Sequence, residues 1–383
     1  MSFRYIKVKT KGQIEGEKLL VPKLRFKEFN NEYKKYKIGD TLKVKSGKDQ
    51  KSIECINGTY PILGTGGQIG TTNSFLYDKP SVLIGRKGTI NKPQYMTTPF
   101  WTVDTLFYTD IKEEFNTKYI FYAFQNINWK KYDESTGVPS LSCKTIEEIL
   151  YYIPNKDEQD KISTFITLLD KKIELQQRRI EALKIYKKGL IQKLIDFNNY
   201  PERSVSEFGT IITGATPSKL IPSYWNNGTI VWVTPSDITE SKDIYTSYDM
   251  LTVDGLSAGR FIPAGSVLVT CIASIGKNAI LKTDGSCNQQ INAIIPNENF
   301  NADYLYYLFE MKKDYLQSIA GTSATSIINK SSFEKLVFKV PSIEQQNKSS
   351  KILNCLELKI ENEKFKLKKL NLLKKSLLQQ MFI

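Results

Sequence analysis

The chain has 383 residues and a formal charge of +14, from 54 Lys and Arg against 40 Asp and Glu, and it contains no histidine. That length leaves room for two or three domains with ample cores, and the positive balance makes nucleic acid the leading partner class. The missing histidine excludes Ser-His-Asp and Cys-His triads, histidine-dependent nucleases and zinc deaminases, and the scattered cysteines (Cys55, Cys143, Cys271, Cys287, Cys355) form no C-x-x-C pair of the kind structural zinc uses.

Residues 1–30 are charged and weakly periodic, without an apolar signal core. Leu20, Val21, Leu24, Phe26 and Phe29 are expected to form an arm against the first domain. No apolar run nears ~18 residues, so no membrane span is expected, and cytoplasmic residence follows by default. Residues 31–153 are rich in Tyr, Val, Ile and Thr with frequent Gly and Pro, which predicts a β-rich domain. Strand candidates are residues 81–84, 102–108 and 149–153. One helix stands out, residues 116–124 (NTKYIFYAF), with Asn116 as its cap. Gly64-x-Gly66-Gly67-x-x-Gly70 fails the G-x-G-x-x-G spacing of a dinucleotide loop and reads as a glycine turn near DNA or simply a hairpin.

Residues 154–196 then predict a long helix. A proline closes the preceding strand, and Asn155-x-x-Glu158 has the form of a capping box. Ile166, Leu169, Ile173, Gln176, Ile180, Leu183, Lys187, Leu190 and Leu194 follow a 3-4-3-4 spacing, the heptad of a coiled-coil helix of roughly 55–60 Å.

Residues 201–340 repeat the first plan. Lys45-Ser46-Gly47 is echoed by Thr213-Gly214-Ala215, and Asn301 opens a second helix, NADYLYYLF. Gly137 followed by Ser140, Leu141 and Ser142 is echoed by Gly321 followed by Thr322, Ser323 and Thr325. Pro235-Ser-Asp237-x-x-Glu240-x-Lys242 contains the letters of a metal-dependent nuclease site, but its acids crowd one turn. Residues 341–383 repeat the long helix at a constant offset of 187 positions, with Pro341, Ser342-x-x-Gln345 and the seam Leu353, Leu356, Ile360, Glu363, Leu367, Leu370, Lys374, Leu377, Met381.

The predicted fold class is therefore α+β: two β-rich domains related by a pseudo-twofold repeat and separated by two long antiparallel coiled-coil helices. The boundaries are 1–153 for the arm and first domain, 154–198 for the first helix, 199–340 for the second domain and 341–383 for the second helix. The domains would sit at opposite ends of the helix pair. With a positions facing d positions, one register sets Leu169 opposite Met381 and Ile173 opposite Leu377. It also sets Lys187 opposite Glu363 and Gln176 opposite Lys374 as the polar layers.

This arrangement resembles the DNA-specificity (S) subunit of type I restriction–modification systems over nearly the whole chain. The resemblance rests on the paired repeats and on the helix lead-ins Ile153-Pro154 to Glu158-Gln159 and Val340-Pro341 to Gln345-Gln346. It rests also on the leader Val21-Pro22-x-Leu24-Arg25-Phe26 and the run Tyr60-Pro61-Ile62-Leu63-Gly64-Thr65-Gly66-Gly67. It implies that each β-rich half is a target-recognition domain reading one half of a split, asymmetric site in double-stranded DNA, while the helices set the unread spacer. The subunit would do no chemistry itself. It would dock two adenine-methyltransferase (M) subunits, which two nuclease/translocase (R) subunits join. S-adenosylmethionine, ATP and magnesium would belong to those partners, with no cofactor or metal in this chain. The residues agree: Asn91-Lys-Pro93-Gln-Tyr95 and Thr98-Pro99-Phe100 are the nearest approaches to the D/N-P-P-Y/F turn that holds a flipped adenine, and neither fits.

Readout needs Arg or Lys on guanine, Asn or Gln on adenine, and small hydroxyls or carboxylates elsewhere. Such residues cluster in glycine-punctuated loops. In the first domain they are Lys45, Lys48, Gln68, Asn73, Arg86, Lys87, Thr136, Ser140, Ser142 and Lys144. In the second they are Thr216, Ser218, Lys219, Ser236, Asp237, Ser274, Lys277, Gln289, Gln290, Thr322, Ser323, Thr325, Asn329 and Lys330. The repeated Tyr and Phe of the Asn116 and Asn301 helices read as core. The basic helix faces, Arg178, Arg179, Lys187 and Lys188 with Lys366, Lys368, Lys369, Lys374 and Lys375, read as solvated flanks or a partner surface. Two rivals are an enzyme with its own active site and a coiled-coil scaffold with two protein-binding domains and no DNA role.

Overall fold

The structure, a computed structural model, describes residues 2–5, 21–195, 199–320 and 327–383. Contacts divide the chain into two compact units, residues 1–177 with 366–383, and residues 178–365. The division runs through both long helices, so each unit holds one β-rich domain, part of one helix and part of the other.

In the first unit, strands Leu42–Ser46, Leu106–Ile111, Ser81–Gly85 and Gln94–Met96 lie side by side in that order in a four-stranded sheet. A three-stranded sheet orders Gly67–Thr72, Tyr60–Gly64 and Trp101–Thr102, with the last pair parallel. The glycine run is the hairpin between its first two strands, and Gly67 takes φ 118° at the turn, a conformation that L side chains resist. The expected strand 102–108 is broken in two, because Leu106 N–H closes a turn onto the Val103 carbonyl at 3.0 Å. The second unit repeats the plan. Its five-stranded sheet begins with Gly209–Thr213, Ile291–Pro296, Val267–Thr270 and Asn278–Leu281, and its small sheet places Ile230–Val233 parallel to Gly285–Cys287.

The echoed glycines explain how the two sheets meet. A Cβ on Gly47 would lie 2.0 Å from the Val103 carbonyl oxygen, and one on Gly214 would lie 2.2 Å from that of Asn288. Only glycine lets the first strand's end approach the small sheet so closely. Lys48 N–H then donates to Thr102 O and Ala215 N–H to Cys287 O, each at 2.9 Å.

The helices Thr117–Asn126 and Ala302–Met311 form as the sequence predicts. Asn116 and Asn301 accept from Tyr119 and Tyr304 N–H at 2.8 and 2.9 Å, and their aromatic faces lie in the two cores. The arm pairs Phe3–Tyr5 with Leu24–Phe26, and Phe26 packs on Phe3 and Phe165; Leu20 lies outside the described residues.

The long helices span Lys156–Ile195 and Ile343–Met381. Each is locked to its neighbouring domain by the same glutamine. Gln159 accepts from Asn116 N–H at 2.9 Å and donates to Pro154 O at 2.9 Å, while Gln346 accepts from Asn301 N–H at 2.9 Å and donates to Pro341 O at 2.9 Å. Gln159→Leu strands a helix-start N–H and a carbonyl, so it is expected to cost about 1–3 kcal/mol in the urea unfolding of the first unit, with Gln346→Leu doing the same to the second.

The capping box forms only in part. Asn155 accepts from Glu158 N–H at 3.0 Å, but the Glu158 carboxylate does not reach back. It is held by Arg25, whose Nε and Nη2 donate to its two oxygens at 2.8 and 2.7 Å, both side chains being 1% exposed.

Within each unit the two helix segments run antiparallel, at a register that corrects the expected one. Lys187 pairs with Glu357 instead of Glu363, Glu363 with Arg179 at 3.6 Å, and Lys374 with Asp170 at 2.7 Å instead of meeting Gln176. Both lysine partners lie six positions from those expected, a slip of close to one heptad. The physical reason is a degeneracy: sliding one helix by seven residues again puts a positions against d positions, so apolar spacing leaves the offset open. The polar residues decide it. Lys187, Glu357 and Tyr307 form one group and Lys374, Asp170 and Tyr122 its repeat, with the lysine Nζ 5.7 and 5.8 Å from the respective tyrosine ring.

Candidate nucleic-acid interface

Three segments meet at the same end of each domain's main sheet, and the chain path dictates which. The first follows Gly47 or Gly214. Trp101 Nε1 donates to Lys48 O and Trp232 Nε1 to Ala215 O, both at 3.0 Å, so an indole from the small sheet pins this loop in each domain. The second follows the central strand, as Arg86-Lys87-Gly88 in the first domain and residues 271–277 in the second. The third precedes the short helices Cys143–Glu148 and Lys330–Glu334.

The second and third segments are joined alike. Leu141 N–H donates to Arg86 O and Ile328 N–H to Cys271 O, each at 2.9 Å, with isolated bridges at Lys87–Ser140 and Ile272–Ile327. Arg86, Lys87 and Ser140 are therefore brought together. In the second domain Thr216 donates to Gln289, Cys271 N–H donates to Gln290 O at 2.8 Å, and Lys277 reaches Pro235 O at 3.4 Å beside Ser236 and Asp237. At residues 271–277, Ala273 (φ 60°) and Gly276 (φ 80°) both take left-handed conformations, with Ser274 between them.

Several predicted readers also hold the loops in shape. Ser142 and Asn329 are helix caps, accepting from Thr145 and Ser332 N–H at 3.1 and 2.8 Å. Asp237 accepts from Thr234 N–H at 2.8 Å and from Tyr248 N–H at 2.9 Å, and Asn73 accepts from Thr59 N–H at 3.2 Å. Lys219 pairs with Asp249 at 2.6 Å and stacks 3.5 Å over the Trp225 ring, and Trp225 Nε1 donates to Ser218 O. Lys330 pairs with Glu334 at 3.5 Å. Lys45 lies apart from these loops. It donates to Asp110 at 2.7 Å, and that bond, with a second from Tyr77, holds the Asp110 carboxyl below the usual carboxylate range.

Lys48, Gln68, Lys87, Thr136, Lys144, Ser236, Ser274 and Gln289 are exposed. Thr322, Ser323 and Thr325 lie outside the described residues. The acids of residues 235–242 do not converge: Glu240 faces Lys184 and Lys364, while Lys242 is taken by Asp303 and Asn354. Among the described residues there is no group of three or more carboxylates and cysteines that could hold a metal. No described helix is long and apolar enough to cross a membrane.

Residues 30–184 and residues 198–372 each match the family model of the type I restriction modification DNA specificity domain. The chain belongs to that family. It is 33% identical over 168 residues to the type I restriction enzyme MjaIX specificity subunit of Methanocaldococcus jannaschii, covering 42% of this chain and 39% of that protein. It is 27% identical over 220 residues to the EcoR124I/EcoR124II specificity subunit of Escherichia coli, covering 54% of each. The chain thus spans about two fifths and about half of the length of these two curated relatives. Its fold is similar to the crystal structure of a type I restriction–modification S subunit from M. genitalium, at a TM-score of 0.63 and 15% identity, over 95% of this chain and 99% of that one.

Each copy of the specificity domain thus carries the same three-segment rim with different side chains on it. The pinned backbone is common and the exposed residues are not. Tyr248 and Leu220, on loops beside the second domain's small sheet, were not among the predicted readers, yet both are almost fully exposed. Their signal was available, a large apolar residue inside a polar turn (Tyr245-Thr-Ser-Tyr248-Asp and Pro217-Ser-Lys-Leu220), but the predicted readers were drawn only from polar and charged residues.

Proposed function

We propose that this chain is the DNA-specificity subunit of a type I restriction–modification complex, without catalytic activity of its own. Each domain reads one half of a bipartite, asymmetric site through its rim. The two long helices form one antiparallel coiled coil that sets the spacer. Two methyltransferase subunits dock on the helices, nuclease/translocase subunits join them, and S-adenosylmethionine, ATP and magnesium are bound by those partners. The observation that carries this reading is the duplication. Two copies of the specificity domain, each tied to a long helix by an equivalent glutamine, supply two different reading surfaces on one repeated frame. A scaffold for protein partners needs no such pinned, divergent rims.

Two equal docking sites follow from the same repeat. Ile185 and Tyr186 on the first helix and their repeat equivalents Leu372 and Leu373 on the second are all exposed. Exposed apolar pairs at matching positions suit two copies of one partner. Native mass spectrometry of the complex is expected to show two methyltransferases per wild-type chain, one with Ile185→Asp and none with Ile185→Asp and Leu372→Asp together. The whole reading is tested with labelled S-adenosylmethionine. The chain alone transfers no methyl group to DNA, whereas the chain with its methyltransferase does so at selected sequences. Transfer by the chain alone would sink it.

A further inference from the structure

Among the described residues the three most exposed large hydrophobic side chains are Tyr248 at 95%, Ile56 at 94% and Leu220 at 92%. A single exposed apolar residue is ordinary and needs no explanation. These three are not scattered: each sits on a loop bordering a small three-stranded sheet, one in the first domain and two in the second. The domains have otherwise diverged, so the recurrence points to a shared use.

Each side chain is mounted on an anchored backbone. Cys55 N–H donates to Thr71 O at 2.9 Å and Asn57 turns the chain at φ 62°, leaving Ile56 at the tip between them. Tyr248 N–H is held by Asp237 at 2.9 Å. Leu220 follows Lys219, which is fixed by its stack on Trp225 and its pair with Asp249. Little backbone freedom is left to lose when such a tip is buried, which favours binding over a floppy loop. Lysines border the tips, Lys219 beside Leu220 and the exposed Lys48 and Lys51 in the loop leading to Ile56, as a polyanionic partner requires.

Apolar side chains presented to DNA can act as wedges. They enter between base pairs, unstack a step and bend the duplex, at a cost repaid by added contact. A methyltransferase must take its target base out of the stack, and a neighbouring step already opened lowers that cost. We propose that Ile56 in the first domain, and Tyr248 with Leu220 in the second, are such wedges, one at each half-site, unstacking a base step beside the base to be methylated. This rests on the specificity-subunit reading.

The test uses the full chain assembled with its methyltransferase and duplexes carrying 2-aminopurine at successive positions of both half-sites. With wild type, fluorescence rises at one step in each half-site. Tyr248→Ser abolishes the rise in one half-site and Ile56→Ser in the other, each lowering methylation on the order of tenfold, while Tyr248→Phe retains both. Nearly complete exposure keeps these substitutions from disturbing the fold, and unchanged thermal unfolding checks that. Sequence-selective methylation with no rise at any step, or with a rise that both serine variants leave intact, overturns the wedges and spares the specificity reading. Loss of methyltransferase co-elution in Tyr248→Ser also overturns them, since the tip would then be a protein contact. No sequence-selective methylation by wild type overturns both.

Discussion

Glu158→Ala is expected to destabilise the first unit by about 3–5 kcal/mol, because it leaves the Arg25 guanidinium buried without its counter-charge. Arg25 is the middle residue of the arm strand Leu24–Phe26 and Glu158 lies in the first turn of the first long helix, so the pair fastens the arm to the helix. The geometry is bidentate, and Arg25 Nη2 also donates to Asn31 O. Tyr33 adds a donor to Glu158 at 3.3 Å. Only Arg25 Nη1 is left without a partner in this otherwise satisfied network. Removing both charges together is a different matter, since two apolar residues need no counter-charge. Arg25→Met with Glu158→Leu should recover most of the loss. Urea unfolding followed by hydrogen exchange in residues 21–177 measures both. If Glu158→Ala costs as little as a surface pair, about 1 kcal/mol or less, this fastening has been misjudged.

Lys187→Glu and Lys374→Glu should each destabilise their own unit by about 2 kcal/mol, between the values for exposed and buried pairs. Lys187 and Glu357 have side chains only 15% and 13% exposed, and Lys374 and Asp170 23% and 30%. Reversal sets two carboxylates against each other over an equivalent tyrosine in each unit. Asp170 also accepts from Tyr122 at 2.7 Å, so Lys374→Glu disturbs the domain helix as well as the helix pair. The rescue identifies the register. Lys187→Glu with Glu357→Lys restores stability, whereas Lys187→Glu with Glu363→Lys does not. The opposite pattern would restore the register that heptad spacing suggested.

The large-scale plan was legible because it was written twice. Two helices of the same period, each opened by a proline and a glutamine, and two Asn-capped aromatic helices needed only their spacing to be read. The helix register was not legible, since a heptad repeat is blind to a slip of seven, and the tyrosines that join Lys187 and Lys374 come from distant strand-rich segments. Glu158 was read locally as the return arm of a cap, yet its partner is Arg25, 133 positions earlier. The rim was half legible. Glycine and hydroxyl residues marked the loops, but a side chain's letter does not say whether it faces outwards, as Lys87 does, or holds the loop closed, as Ser142 and Asp237 do.

Methylation mapping tests the central claim most directly. The chain is co-expressed with its methyltransferase in a host free of adenine methylation, and the modified adenines are sequenced. The expected result is a split motif, two short blocks around a fixed gap, with exchange of residues 199–340 for another family member's changing one block alone. A continuous palindrome that survives this exchange, or no methylation that depends on this chain, would contradict the assignment.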